Sequence, residues 1–385
     1  MGRMNRFCAL LLNLGHALDH LFLLIFATAV ATIAADFGLA RWEDLMPYTA
    51  GAFVMFGIGS IPAGRLGDLW GRRRMMLVFY FGMGLSSLAV SLTQTPLQMA
   101  VALTVLGLFS SIYHPVGIPF LVQGSKTPGL TIGINGLAGN MGIALAALST
   151  GFWVQFFGWR MAFIAPAFLS ILCGWLFWRY APTEAAPPAK KAVTHVHLPK
   201  HLAQRTVVVM IGSAIASSLL FNFTTNGNAQ LLAERLDGLV SEPAMLGLLL
   251  ALVYAVASFA QVVVGRLLDR VPIKPLLFGI LLGQSMIFML AAQTTGWLWY
   301  AAAVLYMISV FAAIPFNDLM VVRYIDDSMR SRVSGFRIAV SFGISSMAVY
   351  MLGPLVKEQG FTTLMMALSA IAAMGARRVD RVERL

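Results

Sequence analysis

GRLGDLWGRRR, Gly64 to Arg74, is a dense charged turn set between two apolar runs, each long enough to cross a membrane. A shorter copy, GRLLDR, recurs at Gly265 to Arg270. Asp68 and Asp269 lie 201 positions apart (269 minus 68), so the chain reads as one half written twice. Other landmarks keep nearly the same offset. Gly38 and Gly238 end the first span of each half, 200 apart, and Pro115 and Pro315 break the fourth span of each, also 200 apart. Asn135-Gly136 and Ser334-Gly335 open the fifth, 199 apart. Parallel six-helix repeats are one of the architectures built into membrane transporters.

Composition sets the solvent. Of the 385 residues, 59% are hydrophobic and 11% charged, where soluble domains carry about 25% charged residues. A chain this apolar has too little polar surface to cover itself in water. Twelve stretches meet the requirement of about 20 mainly apolar residues for a spanning helix. They are 7–35, 46–65, 74–93, 97–122, 130–157, 160–180, 205–233, 243–268, 273–293, 296–323, 330–356 and 360–377. Helices are the expected spanning form, because lipid offers the backbone no partners, and the alternation of a membrane barrel is absent. The fold class is therefore an all-α integral membrane protein of twelve transmembrane helices in two pseudo-symmetric six-helix bundles.

Charge fixes the expected orientation. With the N-terminus in the cytoplasm, only Arg41, Arg160, Arg235 and Lys357, of 27 Lys and Arg, fall outside. The net charge of +11 is thus a topology signal, and no basic and aromatic patch of the kind single-stranded nucleic acid needs is present. Arg3, Arg6 and the run after them read as a first spanning helix and not a leader, since the run is long and carries His16, Asp19 and His20. Gly2 has Arg6 where myristoylation needs Ser or Thr. Residues 181–204 (APTEAAPPAKKAVTHVHLPKHLAQ) are too polar to span and read as a cytoplasmic linker between a first bundle, 1–180, and a second, 205–385. Its His195, His197 and His201 read as solvated linker residues, with a metal-binding tract as the alternative. Cys8 and Cys173 sit in apolar runs and imply no disulfide or metal framework. No GxxxxGK[ST] motif or nucleophile elbow is found, so neither ATP drive nor catalysis is expected, and no cofactor.

With these residues in view, the whole chain resembles the major facilitator superfamily. The family's loop between its second and third helices, roughly G-x-x-x-D-R-x-G-R-R, stands here as Gly64, Asp68, Gly71, Arg72 and Arg73, with Leu69 in place of the first Arg. The second copy keeps Gly265, Asp269 and Arg270 and loses the later Gly-Arg-Arg. The resemblance places Asp68 near the N-terminus of the eleventh helix, around Arg330 to Ser334, and Asp269 near the fifth helix at Leu130. A carboxylate at a helix N-terminus meets unpaired N–H groups, for about 0.3–1 kcal/mol. Such contacts would staple the halves on the cytoplasmic side and break on inward opening, Asp68 being the stronger gate. Arg72 to Arg74 read as topology anchors as well. Ser111-Ile112-Tyr113-His114-Pro115, Gly139-Asn140-Met141-Gly142 and the first-helix His/Asp pair are further similar to the fosmidomycin-resistance group of drug exporters, which implies export.

Ionisable residues inside a span are costly, about 2.5–3.5 kcal/mol for Asp, and mark function. His16, Asp19 and His20 stand at i, i+3 and i+4 and share one helix face. A carboxyl beside an imidazole can take up and release a proton, so Asp19 with His16 or His20 is the expected proton-coupling site; a static hydrogen-bonded cluster is the alternative. The resemblance puts the first and fourth helices on a central cavity, where His114 would meet Asp19 or His20. Tyr113 or His114 would meet the carbonyl that Pro115 frees. Asp318 and Arg337 fall at similar depth and read as a switched or static ion pair. Asn222, Thr225, Asn226 and Asn228, around a bend at Gly227, read as substrate-facing groups or helix–helix glue; Tyr113, Asn140, Gln261 and Asn317 join them as candidate substrate contacts. Gly133, Gly136, Gly139 and Gly142 read as a close-packing surface.

The expectation is a secondary transporter of the inner (plasma) membrane, monomeric, exporting a small molecule against protons by alternating access. One alternative is a divalent metal transporter, since His16, Asp19, His20 and His114 are suitable N/O ligands. The other is a membrane sensor or enzyme, for which the sequence offers no constellation.

Overall fold

The computed structural model of the protein describes residues 6–123, 125, 127–182, 200–268, 270–316 and 327–380; for 128–129, 200–211, 213–214 and 327–339 the backbone alone is described. Every regular element among them is helical. The first half comprises α1 (Arg6–Asp36), α2 (Ala50–Trp70), α3 (Arg72–Ser91), α4 (Pro96–Ser110) leading into α5 (Ile118–Val122), α6 (Pro128–Phe157) and α7 (Trp159–Tyr180). The second comprises α8 (Lys200–Arg235), α9 (Pro243–Leu268), α10 (Ile273–Gln293), α11 (Gly296–Ala312) and α12 (Asp327–Asp380).

Among the described residues, ten helical stretches are long and apolar enough to cross a membrane. One of them, Val340–Asp380, has 41 residues, about twice what one crossing requires. It turns at Gly360, whose φ is 74°, so α12 supplies the eleventh and twelfth spans. The 36-residue α8 is the seventh, and with α4 and α5 counted as one span the total is twelve. α8 begins at Lys200, a little before the expected boundary at 205.

The repeat is written into the backbone. Gly38 and Gly238 have φ of 73° and 74°, and Gly158 and Gly360, which divide the fifth from the sixth span of each half, have 85° and 74°. A side chain is strained in that left-handed region, so a glycine ends the same helix in both copies. Gly71, at φ 93°, makes the same kind of break between α2 and α3.

α1 is wrapped by protein. Leu21 to Ala27 are buried without interruption, as expected for a helix that is apolar all round. Elsewhere the large apolar side chains alternate between core and exterior. Ile58, Ile61, Phe168, Trp178 and Met286 are exposed, which suits a surface solvated by lipid. Close approach to α1 comes from α6. A Cβ on Gly142 would strike the Ala17 backbone, and one on Gly139 would lie 2.7 Å from His16 Cε1. Gly136 faces Gln261 of the second half, and among the described residues nothing lies within 4 Å of a would-be Cβ on Gly133. The stripe of glycines thus winds from one neighbour to another, because a step of three falls short of a full helical turn.

The end of the molecule that carries Asp44 is closed. Two short 3-10 helices, Trp42–Asp44 and Met46–Thr49, connect α1 to α2 and press on α12. Lys357 of α12 pairs with Asp44, and Trp42 stacks on Phe361 at 6.0 Å. A Cβ on Gly353 would strike the Glu43 carbonyl. Gln155 Oε1 accepts from the Ala244 N–H at 2.9 Å. Gln230 Nε2 donates to the Ala27 carbonyl at 3.3 Å.

The Asp68 end is built differently. Asp68 is exposed and among the described residues makes no hydrogen bond or ion pair. Arg72 donates to the Pro119 carbonyl and to Gln123 Oε1, both at 3.2 Å. Arg73 donates to the carbonyls of Ala181 at 3.1 Å and Trp178 at 2.5 Å. These carbonyls lie near helix C-termini, where a cation is favoured. The two arginines therefore tie α3 to α5 and α7 within the first half. Gly64 sits against Pro115, 3.3 Å from a would-be Cβ, and Arg270 is exposed. Asp269, Asn317 and Asp318 lie outside the described residues, as does the side chain of Arg337.

A buried cluster of histidines and a carboxylate

Three elements build the site. α1 presents His16, Asp19 and His20 on one face, as their spacing requires. α4 ends at Ser110 and is followed by a π-helical turn, Tyr113–Gly117, containing Pro115. Proline cannot donate to the helix ladder, and the wider turn that accommodates it carries Tyr113 and His114 toward α1. π turns of this sort frequently mark functional positions. α6 supplies Asn135 and, through the missing side chain of Gly139, the space for the His16 ring.

His16 is the most constrained member. Its Nδ1 donates to the main-chain carbonyl of Asn135 at 2.7 Å. Its ring stacks on Tyr113 with centroids 4.8 Å apart and planes 12° from parallel. The Tyr113 hydroxyl donates to the Leu12 carbonyl at 2.7 Å and accepts from Asn135 Nδ2 at 2.7 Å. Asn135 Nδ2 also donates to Asn13 Oδ1 at 2.9 Å. His16 Nε2 lies 3.2 Å from His20 Nε2. The His114 ring meets His16 edge-on at 5.0 Å.

Asp19 is fully buried. The Ser110 hydroxyl donates to Oδ1. Oδ2 lies 3.6 Å from His114 Nε2, and neither of those two atoms has a hydrogen-bond partner. The distance is within ion-pair range and just beyond hydrogen bonding. Asp19 is shut in while the His114 side chain is 25% exposed, so the pair has an inner and an outer member. Phe56 of α2 covers His114 at 5.7 Å and touches Phe342 of α12 at 4.1 Å. The couple therefore sits directly behind a contact between the two halves.

All four expected members, His16, Asp19, His20 and His114, are brought together. Ligand atoms of the three histidines lie within 4.8 Å of one another. Tyr113 is part of the same group. Asn140 is buried on α6, with Nδ2 unpartnered. Gln261 is half-buried on α9 opposite Gly136. Asn222 Nδ2 donates to the Ser218 carbonyl at 2.8 Å and to Ser345 Oγ at 2.7 Å, tying α8 to α12. Thr225 donates to Phe221 O at 2.7 Å, and Asn226 Nδ2 to Asn222 O at 3.0 Å, leaving Asn226 Oδ1 unpartnered. Asn228 Oδ1 accepts from the Tyr306 hydroxyl at 2.8 Å. Ser110 and the Asn135 amide are members that sequence reading passes over; their only advance signal is being polar on apolar helices.

Comparison with known proteins agrees with this architecture. Residues 12–349 match the model of the Major Facilitator Superfamily. A gallate transporter of Pseudomonas putida is 26% identical over 156 residues, 40% of this chain and 34% of that protein. The multidrug resistance protein MdtG of Citrobacter koseri is 25% identical over 251 residues, 64% of this chain and 61% of that protein. The chain thus spans less than two thirds of these relatives. A bacterial homologue of the human lysosomal transporter Spinster, solved inward-facing and occupied, superposes with a TM-score of 0.76 at 16% identity, covering 97% of this chain and 92% of that one.

Proposed function

The chain belongs to the Major Facilitator Superfamily, and from that premise we propose that it is a proton-coupled exporter of a small organic molecule. The carrying observation is the couple of Asp19 and His114, 3.6 Å apart, both reacting atoms free of other partners, behind the contact of the two halves. A proton on Asp19 leaves a neutral carboxyl beside a neutral imidazole. Its departure leaves a buried carboxylate that draws the imidazole in, since an unpaired buried charge is costly. Movement of the π turn toward α1 is then linked to the occupancy of one proton, and His114 of that turn reaches the second half through Phe56 of α2.

On this reading the protein sits in the inner (plasma) membrane with both termini in the cytoplasm, and residues 181–204 join bundles 1–180 and 205–385. It works as a monomer by rocking those bundles, and the lipid and its substrate are its only partners besides protons. The Asp44 end is the outer one. Asp68, with Gly64, Gly71, Arg72 and Arg73, and Asp269 with Arg270, gate the cytoplasmic side, and Asp318 with Arg337 forms a further gating pair. Tyr113, Asn140, Asn222, Thr225, Asn226, Gln261 and Asn317 contribute to substrate contact. Export is favoured by the drug-resistance name of a relative matched over most of this chain. The divalent-metal reading is not adopted, because the relatives described above are named for organic molecules or drugs.

The test is Asp19→Asn in proteoliposomes, with the substrate found by growth of a deletion strain across toxic organic compounds. Transport driven by a pH gradient is expected to vanish while substrate exchange persists. Gradient-driven transport at the native rate removes Asp19 from coupling.

A further inference from the structure

We propose that His16 is a positioning residue that carries no transported proton, and that its task is to fix the tautomer of His20. This rests on the proton-coupling reading above and assigns roles within it.

The argument is one of donors and acceptors. A main-chain carbonyl only accepts. The 2.7 Å contact between His16 Nδ1 and the Asn135 carbonyl therefore places a hydrogen on Nδ1. A neutral imidazole with hydrogen on one nitrogen presents a lone pair on the other, so His16 Nε2 is an acceptor. The atom facing it is His20 Nε2, at 3.2 Å. Two lone pairs do not meet at that distance, so His20 carries its hydrogen on Nε2. Its Nδ1 is left as the one basic nitrogen of His20. A ring nitrogen set by the bond its opposite nitrogen makes is a general device in histidine chemistry.

The His16 ring is not free to turn and exchange its two nitrogens. Tyr113 stacks on one face. Gly139 leaves so little room that a Cβ there would lie 2.7 to 2.9 Å from Cε1, Nε2 and Nδ1 of the ring. Around it the ionisable neighbours are Asp19 and His20 of α1, Tyr80 of α3, and Tyr113 and His114 of the π turn; α6 offers the Asn135 amide and backbone. None of these supplies His16 with a carboxylate contact, since Asp19 is engaged by Ser110 and faces His114. The protonatable positions that remain are Asp19 Oδ2, His114 and His20 Nδ1.

Nitrogen-15 spectra of histidine-labelled protein in lipid nanodiscs test this without transport. His16 is expected with hydrogen on Nδ1 alone and His20 with hydrogen on Nε2, across the pH range in which transport runs. Hydrogen on His16 Nε2, or a doubly protonated His16 in that range, overturns the proposal. A second measurement is His16→Gln, whose Oε1 can replace the acceptor. Gradient-driven transport is expected to stay within about tenfold of native, equivalent to about 1.4 kcal/mol of barrier, with its pH midpoint unmoved. Loss of gradient drive with exchange intact overturns the proposal by making His16 a carrier. If instead Asp19→Asn keeps gradient drive, the coupling reading falls, and the spectra still decide the tautomers. Should His16→Gln fail to fold, the native spectra decide alone.

Discussion

The two ends of the molecule are held by different forces. At the Asp44 end the halves meet through packing: a 3-10 turn against α12, the Glu43 backbone over Gly353, and Gly151 against Gly247. One exposed ion pair, Asp44 with Lys357, is added to it. At the Asp68 end the charge is plentiful, yet among the described residues the hydrogen bonds of Arg72 and Arg73 go to acceptors of their own half, and Asp68 is exposed. Among the described residues, Gly133 and Gly265 there have no atom within 4 Å of a would-be Cβ. Backbone contact is short-ranged and intolerant of added volume, whereas charge acts over several ångströms and tolerates imperfect fit. A closure of the first kind should respond to size and one of the second kind to charge and salt.

The largest expected effect is at Gly353. Leucine there must displace the Glu43 carbonyl and the Met46 Cβ, the latter 3.1 Å from the new Cβ. Overpacking of this sort costs about 1–3 kcal/mol, which falls on the closed state of the Asp44 end only. Spin labels at the exposed Tyr48 and Leu239 are expected to report a longer distance and a shifted population. An unchanged distance distribution would mean that the 3-10 turn yields freely and that packing is not what closes this end.

Next is the ion pair. Both side chains of Asp44–Lys357 are 41% exposed, so the contribution is small, about 0.2–1 kcal/mol, and salt weakens it. Lys357→Glu is expected to shift the same distance distribution less than Gly353→Leu, and the double exchange Asp44→Lys with Lys357→Asp to restore it. A larger shift from Lys357→Glu than from Gly353→Leu would reverse the comparison.

The architecture was legible because its punctuation is chemical. Gly38 and Gly238 show in the sequence as glycines 200 apart, and both take the positive φ that makes glycine necessary. The site was legible where spacing alone fixes geometry, as for His16, Asp19 and His20 on a single face. His114 was reachable through its proline. Asn135 and Ser110 were not, because which face of a helix meets α1 is decided by neighbours in space such as Gly139, which spacing within one helix does not reveal. The repeat is also silent on chemistry. At the offset of 200, Ala216, Leu219 and Leu220 stand for His16, Asp19 and His20, and Ile314 for His114. Conversely Asn222, Thr225 and Asn226 stand for Phe22, Ile25 and Phe26. Each half is polar where the other is apolar, so the fold was duplicated and the ionisable site was not.

Asp68 carries the smallest prediction and the one that sharpens the comparison most. It makes no hydrogen bond or ion pair among the described residues, so Asp68→Asn removes none from this conformation. Thermal stability and the Tyr48–Leu239 distance are expected to stay as they are. Its proposed role lies in the opposite state, where its carboxylate meets the N-terminus of α12. An interaction of that kind is worth about 0.3–1 kcal/mol, and asparagine, still able to accept from a backbone N–H, forfeits only the charge-dependent part of it. The expected result is a slowing of transport by less than about fivefold, relieved at high salt, where the native contact is itself screened. With the Asp44 end closed chiefly by packing and the Asp68 end, on the proposed reading, by charge, the larger salt response should belong to Asp68 variants and the smaller to Gly353 variants. Equal salt dependence in both would show that one mechanism closes both ends.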